Sequence, residues 1–211
     1  MKISTTHYDD GIPVGNWENK YESKNFIAKY LVGQFLQTIK HLILNYGEEI
    51  DSINEIGCGE GYLSSFILSL NVAPVKGCDF SEKIVNFAKK RENNVHFYVR
   101  NIYNLKREND KADLVICCEV LEHLEDPEKA LETLSKITNK YLLLSVPNEP
   151  IWRILNVMRG AHLKRFGNTP GHLNHWTSKQ FFELTSNYMQ IIEIRKPLPW
   201  TILLLKKGYE K

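Results

Sequence analysis

The sequence predicts an α/β fold: a seven-stranded, mostly parallel sheet with helices on both faces, closed by an antiparallel C-terminal hairpin. Three observations predict it. From residue 52 onward, short β-branched runs alternate with segments of helical period. Two later runs, Ala112–Cys118 and Tyr141–Val146, are apolar nearly throughout, as strands covered on both faces must be. The last two runs, 189–195 and 200–205, are too close for a helical crossover and can pair only antiparallel.

The elements follow in order. Phe26, Ile27, Tyr30, Leu31, Phe35, Leu36, Ile39, Leu42 and Ile43 repeat at helical spacing, so an amphipathic helix covers 25–45. Strand 53–56, helix 62–70, strand 75–78, helix 82–91 and strand 95–99 then read as βαβαβ. Strand 112–118 is followed by a helix over 127–138, opened by Pro127, and by strand 141–146. Helix 177–187 leads to strand 189–195, a break at Pro197 and Pro199, and the final strand. The 211 residues fit one domain, able to bury roughly 70% of its unfolded surface. Within 1–211 two parts stand apart: 1–50 as an N-terminal helical lid, with Trp17, Tyr21 and residues 19–25 set to fold over the site, and 148–176 as a turn-rich substrate loop.

Composition excludes several classes. Hydrophobic residues at 43% and charged residues at 25% are ordinary for a packed domain, which argues against disorder or a fibrous repeat. A net charge of +2 from 27 basic and 25 acidic residues gives no general attraction to nucleic acid or membrane. The N-terminus lacks a signal-peptide core and no apolar run is long enough to span a bilayer, so no membrane partner and a cytoplasmic location are expected. Cys58, Cys78, Cys117 and Cys118 form no C-x-x-C pair and read as small buried residues.

The chemistry concentrates at the end of the first parallel strand, in Glu55-Ile-Gly-Cys-Gly-Glu-Gly61. Gly57 permits a tight turn, Gly59 lets a ligand approach the backbone, and Gly61 relieves crowding against the next helix. A dinucleotide fingerprint starting at Gly57 needs its third glycine at position 62, where Tyr62 stands, so NAD is disfavoured. No lysine follows the glycines, so a P-loop is disfavoured too. Asp79 ends the second strand, where a carboxylate can accept from both hydroxyls of a ribose.

With Asp113-Leu-Val-Ile-Cys-Cys-Glu-Val-Leu-Glu-His-Leu124 following in order, the chain resembles the class I S-adenosylmethionine-dependent methyltransferases across 52–147, which implies a Rossmann-like sheet. The resemblance implies that Glu55, Gly57, Cys58, Gly59 and Gly61 meet the methionine part and Asp79 the ribose. Phe80 would then meet the adenine face, Asn101 and Ile102 its edge, and Glu119 and Val120 the methionine side. Where relatives often carry aspartate, Asn101 can still accept through its carbonyl oxygen.

Glu119-Val-Leu-Glu-His123 is similar to the ubiquinone-pathway O-methyltransferases and to the small-RNA 2′-O-methyltransferases. If a helical turn starts there, Glu119, Glu122 and His123 share a face and can hold a divalent metal ion, with His172 or His175 as a fourth ligand. Without a metal, His123 or His175 can accept the acceptor's proton as catalytic residue. Over 148–176, Arg153, Arg159, Lys164 and Arg165 against Glu149 give a local charge of +3, alongside His162, Trp152, Phe166 and Trp176, a setting for an anionic ring. The expected partner is therefore a small-molecule acceptor methylated at oxygen, by a monomer or homodimer. RNA 2′-O-methylation is the second reading, and a cofactor-binding module without transfer the third.

Overall fold

The computed structural model describes residues 7–9, 12–14, 21, 25–158 and 163–208, with the side chains of 7–9, 12–14 and Lys164 left aside. A short antiparallel ladder joins β1 (His7–Asp9) to β2 (Ile12–Val14). The main sheet contains β3 (Ile53–Ile56), β4 (Val75–Asp79), β5 (His96–Val99), β6 (Ala112–Cys118), β7 (Thr138–Pro147), β8 (Gln190–Arg195) and β9 (Trp200–Lys206). Its order is β5-β4-β3-β6-β7-β9-β8. Pairing is parallel from β5 to β7, and β9 runs antiparallel to both β7 and β8. Six strands thus point one way and β9 the other, which bears out the expected mostly parallel sheet and terminal hairpin. The chain winds outward in both directions from β3 and β6, so a crevice opens beyond their carboxyl ends.

The helices that cover the sheet are α1 (Phe26–Asn45), α2 (Tyr62–Leu68), α3 (Glu82–Arg91), the short α4 (Arg107–Asp110), α5 (Pro127–Ile137), α6 (Ile151–Met158) and α7 (Ser178–Ser186). Four of these helices start where a side chain accepts from orphan backbone amides: Asn25 for α1, Ser81 for α3, Asp126 with Pro127 for α5, and a Thr177–Gln180 capping box for α7. Two cores result. Leu114, Ile116 and Cys118 of β6 join α1, α2 and α3 on one face, while Ala112, Val115 and Cys117 join α5 and Phe181 on the other. This alternation explains why a nearly all-apolar run is a strand rather than a helix.

The structure differs from expectation in two places. The α1 helix inserts Val32, Phe35, Ile39, Leu42 and Ile43 into the core, so it supports the sheet. Burial of five such side chains, each giving roughly 1.5–3 kcal/mol, is why it is fixed. Segment 148–176 is not continuous loop: it contains α6 and a 3-10 turn at Leu163–Arg165. Trp17, residues 19, 20 and 22–24, Arg159 and His162 lie outside the described residues, as does the side chain of Lys164.

Candidate functional site

The turn after β3 is built around left-handed backbone. Gly57, Gly59 and Gly61 have φ of +75°, +52° and +79°. The amides of Gly57 and Cys58 both donate to Cys78 O, at 2.8 and 2.9 Å, which bends the chain back over β4. A Cβ on Gly57 would stand 2.3 Å from Val120 Cγ2, so the turn and the end of β6 meet at that glycine. Cys58 itself turns its side chain into the core, and burial pushes its thiol well up. All four cysteines are buried thiols.

Asp79 links this turn to the next. Its Oδ2 accepts from Gly59 N at 3.1 Å and its Oδ1 from Ser81 N at 3.1 Å. Burial raises its pKa, while these two amides oppose the shift. Phe80 follows, half-buried. Asn101 is exposed and caps the 3-10 turn Ile102–Asn104, accepting from Tyr103 N at 3.0 Å, while Ile102 packs into the core. One lone pair of the Asn101 carbonyl is thus used in the fold, and the second is available to a ligand.

Glu55 points into the protein from β3, 3% exposed, and accepts from the Ser64 hydroxyl of α2. Burial pushes its carboxyl up to about 8, against the lowering effect of Ser64. The folded state keeps this proton after the unfolded chain has lost it, so stability falls as pH rises from 4.5 towards 8. The melting temperature of the ligand-free protein should decline across that window and decline less in Glu55→Gln. Equal slopes in the two proteins would mean that Glu55 is not the buried acid responsible.

Beyond β6, Glu119 has φ of +60°, which turns its carboxylate back towards β7 and β9. It accepts from Ser145 Oγ at 3.1 Å and Trp200 Nε1 at 2.6 Å. The Tyr21 ring stacks on Tyr62 with centroids 5.0 Å apart, and Arg91 lies 3.5 Å from the Tyr62 centroid. Burial, followed by the nearby charges of Glu55, Cys118, Glu119 and Glu60, raises the Tyr21 phenol well above its usual value.

Of the expected metal trio Glu119, Glu122 and His123, the last two stand in a 3-10 turn, Leu121–His123, rather than an α-helical one. Glu119 precedes that turn and bonds to Trp200 and Ser145. Ligand atoms of Glu122, His123 and His172 lie within 4.8 Å of one another. Segment 171–176 is clipped there by Leu173 N and Asn174 N, both donating to Glu122 O, and by Glu149 N donating to Trp176 O. His123 Nδ1 donates to Gly171 O at 2.9 Å, which leaves the Nε2 lone pair as acceptor in the neutral ring. Glu122 Oε1, 3.9 Å from that nitrogen, is beyond hydrogen-bond reach, so burial wins and the His123 pKa is lowered.

The ring of His172 meets His123 edge-on, with centroids 4.9 Å apart, and lies 6.0 Å from Trp152 in a stacked arrangement. His175 Nδ1 stands 3.5 Å from Glu149 Oε1. Sequence reasoning missed two members of this site. Glu149 read only as the acid within a basic loop, and Trp200 only as a strand start, since its contact with Glu119 joins residues far apart in the chain.

Comparison with known proteins agrees with the fold. Residues 54–141 match the methyltransferase domain family. The ubiquinone biosynthesis O-methyltransferase of Nitrosomonas europaea is 30% identical over 166 residues, covering 66% of this chain and 69% of that protein. Its counterpart from Coxiella burnetii is 25% identical over 194 residues, covering 83% and 77%. The solved magnesium protoporphyrin IX methyltransferase of Synechocystis PCC 6803, with bound SAH, shares the fold, with a TM-score of 0.70 at 22% identity over 91% of this chain and 93% of that one.

Proposed function

The chain belongs to the class I S-adenosylmethionine-dependent methyltransferases, and from that premise we propose that it methylates a hydroxyl of a small anionic acceptor held beside His123. The observation that carries this reading is the His123–Gly171 hydrogen bond, which leaves a proton-accepting Nε2 beyond the end of β6. The similarity to O-methyltransferases supports oxygen as the target.

The residues present fit the methyl donor: Gly57 has no room for a Cβ, and Asp79, anchored by two backbone amides, keeps lone pairs for a ribose. Bound there, S-adenosylmethionine supplies a methyl group already activated by its sulfonium, so positioning and exclusion of water dominate catalysis. Tyr21, stacked on Tyr62 at the start of α2, serves as part of the lid. Phe80, Asn101 and Ile102 bound the adenine side, and Val120 the methionine side. His123 receives the hydroxyl proton, with His175 beyond His172, their ring centroids 6.3 Å apart. Among the described residues no helix is long and apolar enough to cross a membrane.

A second reading places a divalent metal on Glu122, His123 and His172, where it would lower the pKa of the acceptor hydroxyl. The Gly171 carbonyl favours it, since an imidazole held through Nδ1 presents Nε2 to a metal.

Arg153 supports the anionic acceptor, with Trp152 beside it offering a flat surface. A catechol bearing a carboxylate should therefore show a KM about five- to tenfold below that of plain catechol, as one charge-assisted hydrogen bond allows. The advantage should vanish in Arg153→Gln. Equal KM values for the two compounds would remove the anionic part of the reading.

A further inference from the structure

Glu149 lies two residues beyond the end of β7, where the chain passes from the sheet into α6. It is 8% exposed, and neither carboxylate oxygen has a hydrogen bond of good geometry. Burial raises its pKa, and His175 with the backbone amide and charge of Arg153 favours the ionised form without overcoming that rise. Among the described residues its closest cationic partner is His175 Nδ1, whose 3.5 Å separation is well outside the roughly 2.7–2.9 Å of a charge-assisted bond. A buried carboxylate without well-made hydrogen bonds is costly, and such groups are ordinarily paired or bound to a metal ion. Here the surroundings supply two imidazoles: ligand atoms of Glu149, His172 and His175 lie within 4.8 Å of one another.

We propose that Glu149, His172 and His175 form a second divalent-cation site, which shares only His172 with the Glu122–His123–His172 cluster. Two imidazoles and one carboxylate suit zinc, manganese or another first-row transition ion better than calcium or magnesium, which favour all-oxygen shells. Bonds of about 2.0–2.2 Å require the three ligand atoms to draw in towards one another. The protein can provide that movement. The backbone of Glu149 is fixed to Trp176 and that of residues 173 and 174 to Glu122, while the His175 side chain is partly exposed and can turn about χ1 and χ2. Three protein ligands leave coordination positions open, so a bound ion adds positive charge and a docking point for an oxygen ligand next to Trp152 and Arg153. His172 has two ring nitrogens and can serve either cluster. The inference needs no particular methyl acceptor and stands apart from the proton-accepting role of His123.

Cobalt(II) is the probe, titrated into metal-free full-length protein and followed by its visible absorption and by calorimetry. Wild-type protein should show a binding event that survives Glu122→Gln but weakens at least tenfold in both Glu149→Gln and His175→Ala. Glu149→Gln replaces a buried acid with a neutral isostere, and an unchanged melting temperature shows that the fold is intact. If that variant melts early, His175→Ala, at a partly exposed position, gives the same reading. Absence of cobalt binding overturns the proposal. So does binding that neither variant alters, and loss in Glu122→Gln and Glu149→Gln alike would mean one shared site. A chain that binds cobalt this way yet transfers no methyl group would contradict only the acceptor reading.

Discussion

Replacing His123 by asparagine is expected to lower kcat by about a hundredfold to ten-thousandfold, the usual contribution of a positioned general base, while the affinity for S-adenosylmethionine changes by less than about twofold. Asparagine is chosen because its side-chain amide can still donate to Gly171 O, as His123 Nδ1 does, so the turn is kept and only the Nε2 lone pair is lost. The pH profile gives an independent readout. Burial lowers the His123 pKa below the ordinary 6.5, so the wild-type ring is neutral at pH 7 and the rate is level there. As pH falls through the lowered value the ring protonates, and log kcat should drop with unit slope. The variant should lack that limb. Unchanged kcat, or an acid limb that persists in the variant, would remove His123 from proton transfer. Activity that disappears in chelator and returns with manganese would instead favour a metal on Glu122, His123 and His172.

Gly57→Val is expected to weaken S-adenosylmethionine binding by about a hundredfold, or ~2.7 kcal/mol. Two effects combine. Residue 57 has φ of +75°, a conformation that costs a side-chain-bearing residue roughly 1–2 kcal/mol. Its Cβ would also start 2.3 Å from Val120 Cγ2, and overpacking of this kind typically costs ~1–3 kcal/mol. The chain can relieve both only by moving the turn away from β6, which also disturbs the Asp79–Gly59 link. Gly33→Ala is the control: it lies within α1 with nothing within 4 Å of the added Cβ, and should leave affinity unchanged and raise stability slightly. Equal loss in both variants, or none in Gly57→Val, would show that the turn does not contact the donor.

Much of this was legible in the sequence because local and long-range preferences agree. Runs 53–56 and 112–118 and helix 82–91 appear with the bounds that their periodicity suggests, since each has apolar spacing, a cap and a turn that favour one outcome. The position of the glycine turn and of Asp79 was legible for the same reason: a strand end, a left-handed turn and an acid at the neighbouring strand end are local features. The α6 helix was hidden because Ile151–Met158 is short and flanked by prolines and glycines that signal a loop.

What depends on tertiary contact was not legible. The spacing of Glu119, Glu122 and His123 suits a shared helical face, but φ of +60° at Glu119 ends that relation before the turn begins. Which of His172 and His175 approaches Glu122 is decided by backbone bonds from residues 173 and 174 to Glu122 O, which have no signature in either sequence segment. Glu149 becomes notable only when its burial without hydrogen bonds of good geometry is seen.

The most direct test of methyl transfer to oxygen is an assay with S-adenosylmethionine labelled in its methyl group and a catechol carboxylate as acceptor, with the product identified by mass spectrometry and NMR. Label is expected in an aryl methyl ether, formed by the wild type and nearly abolished in His123→Asn. Label on carbon or nitrogen of a competing acceptor, with none in any hydroxyl compound while the donor is bound, would contradict it.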